Sequence, residues 1–161
     1  MSLSAFDKTK THANLEAAFA GESMANRKYL FFAKRARELG DEEVAAVFEE
    51  TAAQETQHAF SHLDLIYPKD SLTIERLLEI AIEGERYEHT TLYPGFEKKA
   101  LEEASHTAAK EFADHAAESR EHDARFTAAL ELARKRFAAL TRVEKMHADR
   151  YQSVLDARRG K

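Results

Sequence analysis

VAAVFEETAAQETQHAFSHLDL (Val44–Leu65) is the stretch that decides the fold. Steps of four and three along it follow one helical face, which reads Val44, Phe48, Thr51, Glu55, His58, His62, Leu65. This stripe is apolar at both ends and carries a carboxylate and imidazoles in the middle. A solvated face would be polar throughout, and a plain core face apolar throughout.

The breaks on either side bound the element. Leu39-Gly40-Asp41 reads as a helix stop and then a helix start, because Gly suits the position after a C-terminus and Asp caps the next N-terminus. Pro68 ends the stretch near Ile66, and Asp70 or Ser71 caps the next helix. Helices are therefore expected over about 8–40, 41–66 and 71–104. From Ser105 to Ala157 there is no Gly or Pro, so residues 105–157 form one long helix or two with an unmarked turn. The other stripes repeat the pattern of the first. Helix A gives Leu15, Phe19, Glu22, Asn26, Tyr29, Ala33, Ala36, and helix C gives Ile74, Leu78, Ala81, Glu85, Glu88, Leu92, Gly95. The last third gives Ala133, Phe137, Leu140, Glu144, His147, Tyr151, Val154.

Composition agrees with helices and narrows the chemistry. The 161 residues hold only 5 Gly and 2 Pro, which favours an all-α single domain over 1–161. No cysteine is present, so this chain offers no disulfide, thiolate zinc site, iron–sulfur cluster or cysteine nucleophile. A net charge of -5 argues against nucleic acid or an anionic membrane as the main partner. No run approaches the roughly 18 to 20 apolar residues of a membrane span, and Met1 to Lys10 lacks an apolar signal core. The expected location is cytoplasmic.

A carboxylate on a buried helix face costs several kcal/mol unless it is neutralised, paired or metal-bound. Should the four faces converge, Glu22, Glu55, Glu85, Glu88 and Glu144 meet His58 and His147 in one core, and their repulsion opposes folding without cations. Two metal ions remove the conflict. Oxygen ligands with two imidazoles suit iron or manganese better than zinc or calcium. One Glu-x-x-His on a helix is common by chance. Glu55-x-x-His58 and Glu144-x-x-His147, joined by Glu22 and by Glu85-x-x-Glu88, are not. An echo, Ala18-Phe-Ala-Gly21-Glu22 against Ala81-Ile-Glu-Gly84-Glu85, suggests two helix pairs related by a pseudo-twofold. Glu22 to Glu55 is 33 residues and Glu85 to Glu144 is 59, a surplus of 26 in the second half.

These residues resemble the rubrerythrin family of ferritin-like di-iron proteins. The resemblance rests on Ala-Phe-Ala-Gly-Glu22-Ser, Glu55-Thr-Gln-His58, Gly-Glu85-Arg-Tyr-Glu88 with Leu-Tyr93-Pro-Gly after it, and Glu144-Lys-Met-His147-Ala-Asp-Arg-Tyr151. It implies a ferritin-like four-helix bundle with an extra helical segment, two iron ions (or an iron–manganese or other mixed pair) on those seven ligands, and reduction of hydrogen peroxide to water, with a part in oxidative stress. It further implies that Glu88 exchanges with imidazole at one iron as the oxidation state changes, and that Tyr29 and Tyr93 are phenols just outside the ligands; packed core tyrosines are the equal alternative. Without cysteines the chain is similar to the shorter, sulerythrin-like members that lack a rubredoxin module. Its electrons then come from an external donor such as a rubredoxin-like protein. Iron handling in the manner of ferritins, starting from Fe(II) and dioxygen, is the rival function; a scaffold with an acidic core is the third.

The surplus has its own pattern. Phe112, Ser119, His122, Arg125 and Phe126 recur as Phe137, Glu144, His147, Arg150 and Tyr151 at an offset of 25. In an unbroken helix the copies face the same way but stand about 37 Å apart, so only one serves a given site. The first copy has Ser119 where a Glu is needed, with Glu118 about 100° round the helix. The second is chemically complete, and Glu144 and His147 are the expected ligands. The extra segment then forms a hairpin, or the long helix crosses to a partner in a helix-exchanged homodimer. His106, His115, Glu118 and His122 make a second metal site or, as the plainer expectation, solvated or dimer-contact residues.

Overall fold

Leu39, Gly40 and Asp41 turn the chain as their chemistry requires. Gly40 sits at φ 86°, the left-handed conformation that costs glycine nothing, and Asp41 N–H bonds back to Ala36 O at 2.9 Å. The Asp41 carboxylate accepts from Val44 N–H at 2.9 Å and starts the next helix. The computed structural model describes residues 9–159; the expected start of helix A at Lys8 lies outside them. Helix α1 runs Lys10–Glu38 and α2 Glu42–Ile66. A short 3-10 turn, Lys69–Ser71, comes after α2. Then come α3 (Ile74–Tyr87), a π-helical segment (Glu88–Leu92), α4 (Tyr93–Glu102) and α5 (His106–Arg159). The described residues are all-α, without a strand.

Two compact units result, Met1–Leu72 and Thr73–Lys161. In the first, α1 and α2 form a hairpin with a core of small side chains. Ala33, Ala36 and Ala45 are buried against Phe48, and Ala52, Ala59 and Ile66 continue the row down α2. The row of α2 that faces α1 is therefore 45-52-59-66, one residue round from the expected stripe. Val44 and Leu65 at the ends of that stripe are exposed. Alanines at the contact let the helix axes approach closely. Asn26 ties the pair by donating to Ala52 O at 2.7 Å and Thr56 Oγ1 at 3.0 Å.

In the second unit α3, the π segment and α4 pack on the first half of α5. Ile82, Ala100, Ala109 and Leu130 are buried, and Phe112 of α5 lies 5.4 Å from Phe96 and 6.4 Å from Tyr93 between ring centroids. Residues 105–157 are not split: α5 is one helix of 54 residues. The sharp turn before it uses no glycine. Ala104 takes φ 56°, and Ser105 N–H reaches back to Ala100 O at 2.8 Å.

The π segment interrupts what reads as one helix over 71–104. Pro94 has no N–H to give Thr90, so the ladder slips there, and Tyr93 N–H bonds Glu88 O, five residues back.

Candidate metal centre

In the first unit the α1–α2 contact brings Glu22, Glu55 and His58 together. One ligating atom from each lies within 4.8 Å of the others. His58 Nδ1 is 2.9 Å from Glu55 Oε2. The two carboxyls face each other and are shifted in opposite directions. Glu22 is pushed above the ordinary carboxylate range, first by its hydrogen bond with Glu55 and then by partial burial. Glu55, which accepts from Glu22 and from His58, is held below that range. A cation placed between them would serve both carboxylates at once. Tyr29 is half-buried against Phe48, centroids 6.0 Å apart, so its visible role is packing.

In the second unit Glu85, Glu88, Tyr93, His115, Glu118, Ser119 and His122 line an open cavity of about 320 Å³. The π segment sets Glu88 at its edge. Ser119 Oγ donates to Glu88 Oε2 at 2.8 Å, and His122 Nδ1 lies 3.4 Å from Glu85 Oε2. That contact lacks hydrogen-bond geometry, and Glu85 Oε2 is buried with no hydrogen-bond partner. A buried carboxylate oxygen without a donor is costly, and a metal ion is the kind of partner that satisfies it. Burial first, then the charges of Glu88, Glu85 and Glu118, push the Tyr93 phenol upward, so it stays protonated at neutral pH. Its ring lies 5.5 Å from His115.

One expectation is corrected. The helix beside Glu85 and Glu88 carries the first copy of the duplicated pattern, Ser119 and His122, and not Glu144 and His147. The latter are exposed on the far part of α5, about 37 Å along its axis. The unbroken helix fixes this outcome: the short Glu103–Ser105 turn leaves room for the first copy alone beside α3. The expected buried stripe from Phe137 to Val154 is exposed as well.

A neighbouring group escaped the sequence. Asp123, buried on α5, accepts from Arg86 at 3.0 and 3.1 Å and pairs with His89 Nε2 at 3.1 Å. Thr127 Oγ1 adds a 3.1 Å bond. Arg86 and His89 flank Glu88 in sequence, so Asp123 fixes both sides of that carboxylate to α5. Asp123 falls one turn from Ser119 on the α3-facing row, the signal that marked it.

Comparison with known proteins agrees with this chemistry. The Rubrerythrin family profile matches residues 13–71. A rubrerythrin of Nitratidesulfovibrio vulgaris is 34% identical over 130 residues, 73% of this chain and 68% of that protein. The chain belongs to the rubrerythrin family. A rubrerythrin of Porphyromonas gingivalis is 40% identical over 134 residues, 76% of this chain and 66% of that protein. A solved structure of nigerythrin in its mixed-valent state is 35% identical, covers 77% of this chain and 68% of that one, and superposes with a TM-score of 0.38. The chain thus spans about two thirds of the length of these relatives. Rubrerythrins are di-iron proteins, and the donors of this family member fit a metal. Glu22, Glu55 and His58 offer two carboxylates and an imidazole, as do Glu85, Glu88 and His122.

Proposed function

We propose that the chain is a non-haem di-iron peroxidase that reduces hydrogen peroxide to water in the cytoplasm, with electrons from a donor outside these 161 residues. The observation that carries the reading is the grouping, on each unit, of two carboxylates with one imidazole, with Glu85 Oε2 buried and without a hydrogen-bond donor on the second. When bound, iron supplies the two electrons and the Lewis acidity. Manganese in one position is compatible with the same ligands.

The chain's own residues do the rest. Glu22, Glu55 and His58 hold metal on one unit, and Glu85, Glu88 and His122 on the other. Ser119 orients Glu88 through its hydrogen bond, and Asn26 keeps α1 and α2 at the spacing that joins Glu22 to Glu55. Hydrogen peroxide takes two electrons and two protons to give two waters. Tyr93, kept protonated by burial and by the carboxylates around it, holds one proton at its Oη beside the cavity. A rubredoxin-like protein is the class of donor that suits a chain without cysteine.

The test is anaerobic titration of the iron-loaded, reduced protein with hydrogen peroxide. One peroxide consumed per two electrons is expected, with Glu55→Gln binding metal more weakly than the wild type. Iron(II) that oxidises with dioxygen but leaves peroxide untouched would sink the reading in favour of iron handling.

A further inference from the structure

His115, Glu118 and His122 stand on one face of α5, at steps of three and four. Only His122 belongs to the group assigned to metal with Glu85 and Glu88. Yet all three line the same cavity as those two carboxylates. His106, the other histidine singled out with them in the sequence, is exposed at the start of α5, away from the cavity lining.

The register across the cavity is regular. Glu85 stands beside His122, Glu88 beside Ser119, and Tyr93 beside His115. The two imidazoles therefore lie at opposite ends of the carboxylate row. Seven residues of helix separate them by about 10.5 Å along the α5 axis. Side chains of one helix row project side by side, and nitrogen ligands bind at only about 2.0–2.1 Å, so each imidazole suits an ion of its own.

The groups at the His115 end are short of partners. His115 is half-buried, with its ring 5.5 Å from that of Tyr93, and neither ring nitrogen has a hydrogen bond or ion pair among the described residues. Ser119 takes only Oε2 of Glu88. Glu118 has no ion pair among the described residues, and the Tyr93 phenol feels its charge along with those of Glu88 and Glu85. No Lys or Arg lines the cavity. Three carboxylates around one cavity without a basic side chain repel one another, and a cation relieves that repulsion. At the other end Glu85 Oε2 is buried with no hydrogen-bond partner.

We propose that the second unit holds two cations, one at Glu85 and His122 and a further one at Glu88, Glu118 and His115. The further site repeats the composition of the α1–α2 group, two carboxylates and one imidazole. Imidazole nitrogen beside carboxylate oxygen suits iron(II), manganese(II), cobalt(II) or zinc(II), whereas magnesium and calcium take oxygen ligands. Ser119 positions the site without ligating: its hydroxyl holds Oε2 of Glu88 and leaves Oε1 for the ion. The carboxylate that Ser119 lacks is supplied by Glu118, one residue earlier on the same helix. The site rests on the metal reading of this cavity and adds to it an ion that the reading does not require.

The test counts cobalt(II) ions on the full chain by native mass spectrometry, with magnesium(II) in excess to fill plain carboxylate clusters. Glu22→Ala with His58→Ala removes the α1–α2 group. In that background two cobalt ions per chain are expected. His115→Gln and Glu118→Gln, at a half-buried and an exposed position, are each expected to lose one ion with unchanged helical circular dichroism. His122→Ala is expected to lose the other, and His115→Gln with His122→Ala both. Retention of two ions by His115→Gln overturns the further site. So does a background that holds a single ion, removed by His122→Ala and untouched by His115→Gln; the metal reading of Glu85, Glu88 and His122 then stands. A background that takes up no cobalt overturns both. Ion counting needs no peroxide, so these outcomes are independent of turnover.

Discussion

Ser119 Oγ lies 2.8 Å from Glu88 Oε2 and donates to it. A hydroxyl stands where the ligand pattern of the other helices calls for a carboxylate, so the cavity of the second unit holds Glu85, Glu88 and Glu118 but no fourth acid from α5. The hydroxyl lowers the negative charge of the cavity and at the same time occupies one oxygen of Glu88. Glu88 is thereby held by the protein on one side, while Glu85 Oε2 is buried without a hydrogen-bond donor.

Ser119→Glu tests this directly. It restores the carboxylate but adds a like charge beside Glu85 and Glu88. The metal-free variant should be less stable than the wild type by about 1–2 kcal/mol, the scale of a buried group deprived of its hydrogen bond. With iron(II) or manganese(II) the order should reverse, because a cation converts the repulsion into coordination. Thermal melts with and without metal decide it. A variant equally destabilised in both conditions would show that Ser119 merely packs.

The upward shift of Glu22 beside Glu55 predicts an opposite pair of effects. A carboxyl raised in the fold works against folding once the pH exceeds its unfolded value, so at neutral pH Glu22 destabilises the metal-free hairpin. Glu22→Gln removes that acid and can still donate to Glu55. Its metal-free melting temperature should equal or exceed that of the wild type, and the rise on adding metal should disappear. For the wild type, metal at 100 times its dissociation constant should add about 2.7 kcal/mol. Unfolding curves in chelator and in metal measure both.

Much of the fold and of the carboxylate and histidine grouping was legible in the sequence, and the parts that were not share a cause. Gly40, Asp41 and Pro68 announce their turns because their backbone chemistry admits little else, and Glu22, Glu55, His58, Glu85 and Glu88 stand out because carboxylates interrupt apolar rows. The turn at Ala104 is hidden because alanine is the best helix former and gives no sign of a left-handed conformation. The π segment is hidden because Pro94 also suits the first turn of an ordinary helix. The choice of Glu144 and His147 over Ser119 and His122 comes from reading chemistry without chain length. A complete motif looks more like a ligand than an incomplete one, but the three-residue turn after α4 decides which copy lies beside Glu85.

Asp123 predicts an acid limb. Arg86 first, then His89 and Thr127, hold its carboxyl below the ordinary value of about 3.9. A carboxyl depressed in the fold contributes stability above its unfolded value, and the contribution is lost as the pH falls through its folded value. Wild type and Asp123→Asn should therefore differ by about 1–2 kcal/mol near pH 6, the scale of charge-assisted hydrogen bonds to a partly exposed Arg86. The gap should shrink as the pH falls below the ordinary carboxylate range. Denaturant unfolding at several pH values reads the difference. A gap that does not change with pH would assign Asp123 a packing role in place of an electrostatic one.

Ala104 offers the simplest gain in stability. Its φ of 56° forces Cβ toward the following carbonyl, at a cost of roughly 1–2 kcal/mol for an L residue. The turn holds because Ala104 N–H bonds Leu101 O at 3.1 Å and Ser105 N–H bonds Ala100 O, closing α4 before α5 begins. Ala104→Gly keeps those bonds and removes the clash. It also adds freedom to the unfolded chain, worth about 0.4–1 kcal/mol in the other direction. The first effect is the larger, so the variant should be more stable by up to about 1 kcal/mol, with metal content unchanged because no ligand moves. Ala104→Val, β-branched and stiffer, should lose stability at the same position. A stabilised Ala104→Val would mean that α4 runs into α5 without the left-handed residue. The first copy of the ligand pattern could then not lie beside Glu85 and Glu88.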